Sequence, residues 1–251
     1  MVAVDPSQAP LAGLRADASG AYEVAGRRVT APVAVRSAQM ASASYLIEAD
    51  RAQSVIEGTG LRVSRRRGDK AVVTLALVKY VDTDLDAYDE LGLCFGVDAP
   101  EGAEPLGRGV VANYIHRLPV SQAFTCAAGR GIWGFPKWVD DLTVDVTGSG
   151  ATATLAGQVS VALRQGPIPV PPRPLTMACY SNDAEGRLLR TDWITNNRRT
   201  RLRFGGGSAR VEILGDGVFA DDLRALGFPR KPLMTMFAGQ MRATFAAPRP
   251  I

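Results

Sequence analysis

Between Leu155 and Arg164 the apolar residues Leu155, Val159, Val161 and Leu163 alternate with the polar residues Gln158, Ser160 and Arg164. A repeat of two sends successive side chains to opposite faces, so this stretch predicts a half-buried β-strand. Residues 71–80, rich in valine and leucine, predict a buried strand, and further strands are expected over residues 91–97, 188–195, 209–214 and 240–246. Short helices are expected over residues 50–57, where Asp50 is a capping candidate ahead of Ala52, Val55 and Ile56, over residues 120–128 after Pro119, and over residues 220–226. An acidic turn over residues 82–86 and an Asp/Gly-rich loop over residues 98–108 separate strands. Five prolines between Pro167 and Pro174 remove backbone donors, which predicts an extended connection within one sheet rather than a helix or a central strand. Many strands and few helices predict a mainly β fold, closed or sandwich-like and antiparallel.

With 251 residues, 46% of them hydrophobic and 22% charged, the chain can bury a large core. One domain is expected over residues 21–251, preceded by a loose arm of residues 1–20. Charges or turn residues interrupt every apolar run well short of the roughly 18 to 20 residues a membrane-spanning helix needs, and no signal-peptide core opens the sequence. A cytoplasmic protein with no membrane partner is the expectation. Cys94, Cys126 and Cys179 are odd in number and far apart, which supports neither a disulfide framework nor a metal knuckle; they read as small buried apolar side chains. The net charge of +4 comes with arginine clusters at Arg65, Arg66 and Arg67 and at Arg198, Arg199, Arg201 and Arg203. These read as solvated strand ends or turns, because a nucleic-acid reader also needs grooves and stacking aromatics at defined places. No nucleic-acid partner is expected.

The single histidine, His116, rules out a multi-histidine metal site, and no Gly-x-Ser-x-Gly elbow presents a serine nucleophile, so His116 reads as structural. Residues 129–134, Gly-Arg-Gly-Ile-Trp-Gly, spell a dinucleotide fingerprint. Pro136 follows it, however, the segment before it reads as helical, and Thr152 and Thr154 stand where an acidic ribose ligand is required. Gly205, Gly206 and Gly207 lack a following Lys-Ser or Lys-Thr and read as a turn. Neither a metal nor a cofactor is expected. Lys137 stands in unusual company, with Phe135 and Pro136 before it and Trp138 and Val139 after it. Burial penalises the ammonium, lowers its pKa and yields an amine able to attack a carbonyl carbon and form a Schiff base. The competing reading is a lysine whose stem is covered while its head reaches water. A second Gly-Phe-Pro at Gly227, Phe228 and Pro229 shows that the tripeptide alone is weak.

Gly129-Arg130, Ile132 and Gly134-Phe135-Pro136-Lys137 resemble the active-lysine segment of the acetoacetate decarboxylase family, in which the lysine after an aromatic-proline pair forms the Schiff base. Residues 82–90, ending in Tyr88-Asp89-Glu90, resemble the family's acidic loop, and Tyr114-Ile115-His116 lies at the matching distance before the lysine. Arg173-Pro174 and the C-terminal strand are weaker matches. The resemblance implies an antiparallel β-barrel or cone with a few short helices, enclosing an apolar pocket, in a homo-oligomer. It implies Lys137 as nucleophile and Glu90 as a pocket carboxylate that positions substrate or moves protons, the alternative for Glu90 being a solvated turn residue. Trp133, Phe135 and Trp138 are expected beside the substrate. Arg130 attracts a substrate carboxylate or, alternatively, pairs with Asp140 or Asp141.

The departures from the family bear on the substrate. Trp138 stands where the decarboxylases carry a second lysine; acetoacetate decarboxylase is itself a standing example of a lysine activated by its surroundings, and apolar burial would have to serve unaided here. Ala76 stands where they carry another carboxylate, and Arg28, Arg36 and Met40 compete for the position of their substrate-engaging arginine. Both losses count against acetoacetate itself. The implied activity is a Schiff-base-forming carbon–carbon lyase acting on a small oxo acid, decarboxylase-like. An aldolase-dehydratase using the same lysine is one alternative, and a non-catalytic β-barrel binding a small ligand is the other.

Overall fold

The computed structural model describes residues 13–228 and 230–251. A small hairpin, β1 (Ala21–Val24) and β2 (Arg27–Thr30), leads into the long strand β3 (Val33–Glu48) and helix α1 (Ala49–Val55). Strands β4 (Lys70–Thr83), β5 (Tyr88–Gly96) and β6 (Val111–Val120) follow, then helix α2 (Ala123–Trp133) and the short strand β7 (Lys137–Val139). Strands β8 (Leu142–Val146), β9 (Gly150–Leu155) and β10 (Val159–Arg164) come next, then β11 (Ile168–Val170), β12 (Pro174–Asn182), β13 (Leu188–Phe204) and β14 (Ala209–Ile213). Helix α3 (Val218–Ala225), β15 (Met234–Phe245) and β16 (Arg249–Pro250) complete the chain.

Among the described residues, seven strands close into a ring in the order β13, β12, β6, β5, β4, β3 and β15, with β15 pairing back onto β13. The 17 residues of β13 make closure possible, since residues 188–196 pair with β12 while residues 193–204 pair with β15. Closure leaves no bare edge in the ring. Its pairs are antiparallel except β6 with β12, which run parallel. A second sheet, ordered β14-β10-β9-β8, shares one core with the ring and with α1 and α3.

Both faces of the ring are covered. In β4, Ala71, Val73, Leu75 and Leu77 enter the core shared with the second sheet, while Val78 and Tyr80 enter a second core that α2 closes with Cys126, Ala128, Ile132 and Trp133. A strand buried on both faces reads as a nearly continuous apolar run, which is why residues 71–80 show no alternation.

Several expectations shift by a few residues for identifiable reasons. Residues 155–164 form a hairpin rather than one strand: Leu155 and Val159 are cross-strand partners, so a three-residue turn preserves the inward face and mimics unbroken alternation. Pro119 lies in β6 opposite Trp138 of β7, and the helix expected over residues 120–128 starts instead at Ala123, where the Gln122 side chain accepts from the Thr125 N–H at 2.8 Å. Asp50 lies inside α1, whose N-cap is Glu48 with no side-chain cap. The proline-rich connection includes β11, an edge strand where missing N–H groups are tolerated. The arginines at positions 198, 199, 201 and 203 lie within β13. Of the arm expected over residues 1–20, residues 1–12 lie outside the described residues, while the Leu14 N–H donates to the Gly131 carbonyl at 2.8 Å.

His116 takes part in a polar cluster away from the lysine. Its Nε2 lies 2.9 Å from Asp222 Oδ2, which also accepts from Arg117 Nε at 2.6 Å. Burial opposes ionisation of Asp222, but hydrogen bonds from His116 and Arg117 outweigh it and hold the carboxyl below the ordinary value of 3.8. A depressed carboxylate stabilises the fold above its unfolded pKa, and that stability is lost as pH falls through the folded value. Asp222→Asn should therefore destabilise the protein at pH 7 by about 1–3 kcal/mol. It should also flatten the loss of stability below pH 4, read from urea midpoints across pH.

Candidate active site

Strand alternation assembles the floor of the site. In β5, residues Tyr88, Glu90, Gly92 and Cys94 share one face, and Leu91, Leu93 and Phe95 share the other. Across β4, Tyr80 lies opposite Tyr88, Val78 opposite Glu90 and Ala76 opposite Gly92. Glu90 thus belongs to a central strand and is 8% exposed, which removes the solvated-turn alternative. The acidic loop is correspondingly shorter: Asp82 and Thr83 end β4, and Asp82 and Asp84 pair with Arg36 while Asp86 pairs with Arg27.

Lys137 reaches that floor from α2's far end. Gly134 closes the helix with φ +63°, a left-handed conformation open to glycine, and a Cβ there would lie 2.5 Å from the Asn182 carbonyl oxygen. The Lys137 N–H then donates to the Phe135 carbonyl at 2.7 Å, and β7 pairs in parallel with the end of β6, placing Lys137 beside Leu118. The lysine chain lies directly over Gly129 of α2, where a Cβ would fall 2.5 Å from Lys137 Cδ and 2.8 Å from Cε. The glycines of the apparent dinucleotide fingerprint therefore lie in and at the end of a helix, and Gly129 makes room for the lysine.

Lys137 is 3% exposed, and its Nζ lies 2.7 Å from Glu90 Oε2. Nζ also donates to Thr125 Oγ1 at 3.3 Å and lies 4.9 Å from the centre of the Tyr88 ring. The Tyr80 hydroxyl donates to Glu90 Oε1 at 3.2 Å, and the Tyr80 and Tyr88 rings stack 4.2 Å apart. Burial by itself lowers the lysine's pKa, but the Glu90 carboxylate and then Tyr88 outweigh it, so the net direction is above the ordinary lysine value. The direction is opposite to the one expected from apolar surroundings alone, because Glu90 stands beside the amine. Burial pushes the Tyr88 hydroxyl and the Cys94 thiol up to about 12 each, so both stay protonated at neutral pH.

Beside the pair is a cavity of about 60 Å³, lined by Ala76, Val78, Tyr80, Leu85, Tyr88, Glu90, Gly92, Cys94, Ile115, Leu118, Trp133, Phe135, Lys137, Trp193 and Phe245. Aromatic rings form one wall: Phe135 stacks on Trp133 at 5.9 Å, Trp133 meets Phe245 at 5.9 Å, and Phe245 stacks on Trp193 at 5.2 Å. A larger cleft of about 500 Å³, lined by Arg36, Arg173, Arg198 and Arg242, lies elsewhere and includes none of these residues. Among the described residues no group of His, Cys, Asp and Glu could hold a metal ion. No described helix is long and apolar enough to cross a membrane.

The sequence matches the family model for acetoacetate decarboxylase (ADC) over residues 23–164. The chain belongs to the acetoacetate decarboxylase family. Among solved structures, an acetoacetate decarboxylase from Legionella pneumophila shares 14% identity at a TM-score of 0.59, covering 88% of this chain and 87% of that one. The enduracididine biosynthesis enzyme MppR complexed with pyruvate shares 16% identity at a TM-score of 0.61, covering 88% of this chain and 91% of that one. MppR complexed with the condensation product of pyruvate and imidazole 4-carboxaldehyde shares 16% identity at 0.59, covering 88% and 90%. These likenesses concern the fold. No curated protein sequence matches the chain.

Of the residues singled out for acetoacetate decarboxylase chemistry, Lys137, Glu90, Trp133 and Phe135 come together at the cavity. Arg130 and Trp138 do not line it. Arg130 Nη1 donates to the Lys137 carbonyl at 2.6 Å, tying β7 to α2. Trp138 follows Lys137 on a strand, so it faces the opposite way, into the core shared with the second sheet, and its Nε1 donates to Asp140 at 2.9 Å. Ala76 lines the cavity opposite Gly92, and the two small residues leave its space open. Of the competitors for the substrate arginine of the acetoacetate decarboxylases, Arg28 pairs with Asp17, Arg36 pairs with Asp82 and Asp84, and Met40 is buried; none lines the cavity. Tyr80, Tyr88, Thr125, Trp193 and Phe245 were not anticipated. The period-two rule applied outward from Glu90 reaches Tyr88, whereas no local signal marks Trp193 or Phe245.

Proposed function

We propose that the protein is a Schiff-base lyase of decarboxylase type acting on a small oxo acid, with Lys137 as nucleophile and Glu90 as its proton partner. The observation that carries this is the 2.7 Å contact between a 3%-exposed lysine and a carboxylate at the wall of a largely apolar cavity. A buried ion pair is costly to desolvate, so its neutral form, amine and carboxylic acid, lies closer in energy than in water. Glu90 takes the ammonium proton, and the freed lone pair attacks the substrate ketone carbon. The carbonyl oxygen gains protons and leaves as water, giving an iminium. In a 3-oxo acid the bond to the carboxylate then breaks, its electron pair forms an enamine and carbon dioxide departs. Glu90, reprotonated by water, then protonates the enamine carbon, and hydrolysis of the iminium releases the ketone and returns Lys137.

The test is reductive trapping. Wild-type protein treated with acetoacetate or pyruvate and borohydride should gain one reduced adduct by intact mass, located at Lys137, and Lys137→Ala should gain none. A wild-type protein that traps neither compound ends the proposal and favours the ligand-binding barrel.

A second outcome of the same iminium is carbon–carbon bond formation with an aldehyde followed by loss of water. MppR, with its pyruvate and condensation-product complexes, favours keeping it, as do Trp138 and Ala76 at positions where the decarboxylases carry charge. Carbon dioxide release from acetoacetate supports the lyase; aldehyde-dependent consumption of pyruvate without carbon dioxide supports the aldolase-dehydratase.

A further inference from the structure

Trp193 lines the lysine cavity, and its Nε1–H, shielded from solvent, finds no acceptor among the described residues. A buried donor without a partner loses the hydrogen bond it would make in water, so such groups are uncommon unless something else satisfies them. The other cavity-lining indole is satisfied, since Trp133 Nε1 donates to the Ala246 carbonyl at 2.9 Å. The Trp193 ring is held by stacking on Phe245 at an interplanar angle of 7°, so the donor does not depend on a ligand for its orientation.

The cavity's other polar groups are largely committed. Glu90 takes Lys137 and the Tyr80 hydroxyl, and Lys137 is the only cation lining the cavity among the described residues. A lysine that becomes an iminium with the ketone carbon cannot also serve as the main partner of the substrate's carboxylate. We infer that the Trp193 Nε1–H is the donor that receives a carboxylate oxygen of the oxo acid and thereby selects carboxylated ketones over neutral ones. This rests on the Schiff-base reading above, and it assigns the acid-recognition role to a neutral indole rather than to an arginine. A single neutral donor also leaves the carboxylate poorly solvated, so its departure as uncharged carbon dioxide loses little ground-state stabilisation.

The experiment compares reductive trapping of pyruvate, which carries a carboxylate, with trapping of acetone, which does not, in wild type and in Trp193→Phe. Trp193→Phe should raise the pyruvate concentration for half-maximal trapping about tenfold, the loss of one hydrogen bond to a charged group. The acetone value should move by a clearly smaller factor than the pyruvate value. Equal changes for the two ketones, or none for pyruvate, overturn the inference while leaving the lysine chemistry intact. Absence of trapping with both ketones in wild type overturns the Schiff-base reading and this inference with it. If Trp193→Phe does not fold, the wild-type indole N–H resonances decide. With 3 tryptophans in the chain, the resonance assigned to Trp193 should move on adding pyruvate and stay in place with acetone, and movement of the Trp133 resonance alone overturns the inference. Three unmoved resonances at saturating pyruvate overturn the inference.

Discussion

Glu90→Gln should turn Lys137 from a lysine titrating above the ordinary value into one titrating below it. The carboxylate at 2.7 Å is the principal influence raising the ammonium's pKa, and burial is the largest one opposing it. A glutamine keeps the shape and removes the charge, so desolvation then prevails. The sign of the pH dependence of stability reverses with it. In the wild type the folded pKa is raised, so the pair's contribution is fully present below the unfolded value of 10.5 and is lost as pH rises through the folded value. In Glu90→Gln the unfolded chain binds the proton more tightly, so stability should rise with pH toward 10.5 by about 1.4 kcal/mol per unit over the window between the two pKa values. Labelling of Lys137 by an amine-reactive reagent across pH, followed by mass, measures the shift directly. Turnover should fall by about 10²- to 10⁴-fold, because the group that accepts and returns protons is gone. Unchanged labelling across pH would show that Glu90 does not govern the amine.

The second large effect concerns a residue with no functional group. Gly129→Ala places a methyl 2.5 Å from Lys137 Cδ and 2.8 Å from Cε, closer than real carbon contacts allow. The lysine chain is the part able to give way, so the amine is displaced from Glu90 and from the cavity. Misplacement of a reacting group by about 1 Å costs on the order of 10²-fold in rate, and a loss of at least that size is expected here. Stability should fall as well, because displacing the amine leaves the buried Glu90 without its cation at a cost of about 3–5 kcal/mol, of which alanine in a helix interior recovers only about 0.5–1 kcal/mol. Thermal unfolding alongside trapping kinetics checks both halves. A variant with full activity would mean that the lysine has another path to its partners.

Gly129 also illustrates how sequence and structure divide the information. Its place in a Gly-x-Gly-x-x-Gly spelling draws attention to phosphate binding, and Pro136 argues against it. Neither feature says that a helix glycine makes space for a side chain eight positions later on another strand. Glu90 is similar. Its surroundings in the chain, with Asp82, Asp84, Asp86 and Asp89 nearby, suit an exposed loop as well as a pocket. Only its register on β5, with Val78 opposite and Tyr80 diagonal to it, makes it a buried carboxylate. The errors in element bounds have the same origin: pairing across β9 and β10 and the parallel β6–β7 contact are tertiary events that local propensity does not encode.

What the sequence by itself determined was the mainly β class, the set of apolar runs that become ring strands, and a lysine set between aromatic residues after a Gly-Phe-Pro turn. These depend on periodicity and on backbone chemistry within a few residues, which a linear string displays. What only the tertiary structure decided was the pairing of the lysine with Glu90, the size of its cavity, and the presence of Trp193, with its unpartnered indole N–H, in the lining. Those depend on distances between groups on β4, β5, α2, β7, β13 and β15. Electrostatic and steric energies fall off over ångströms in space, whatever the separation along the chain.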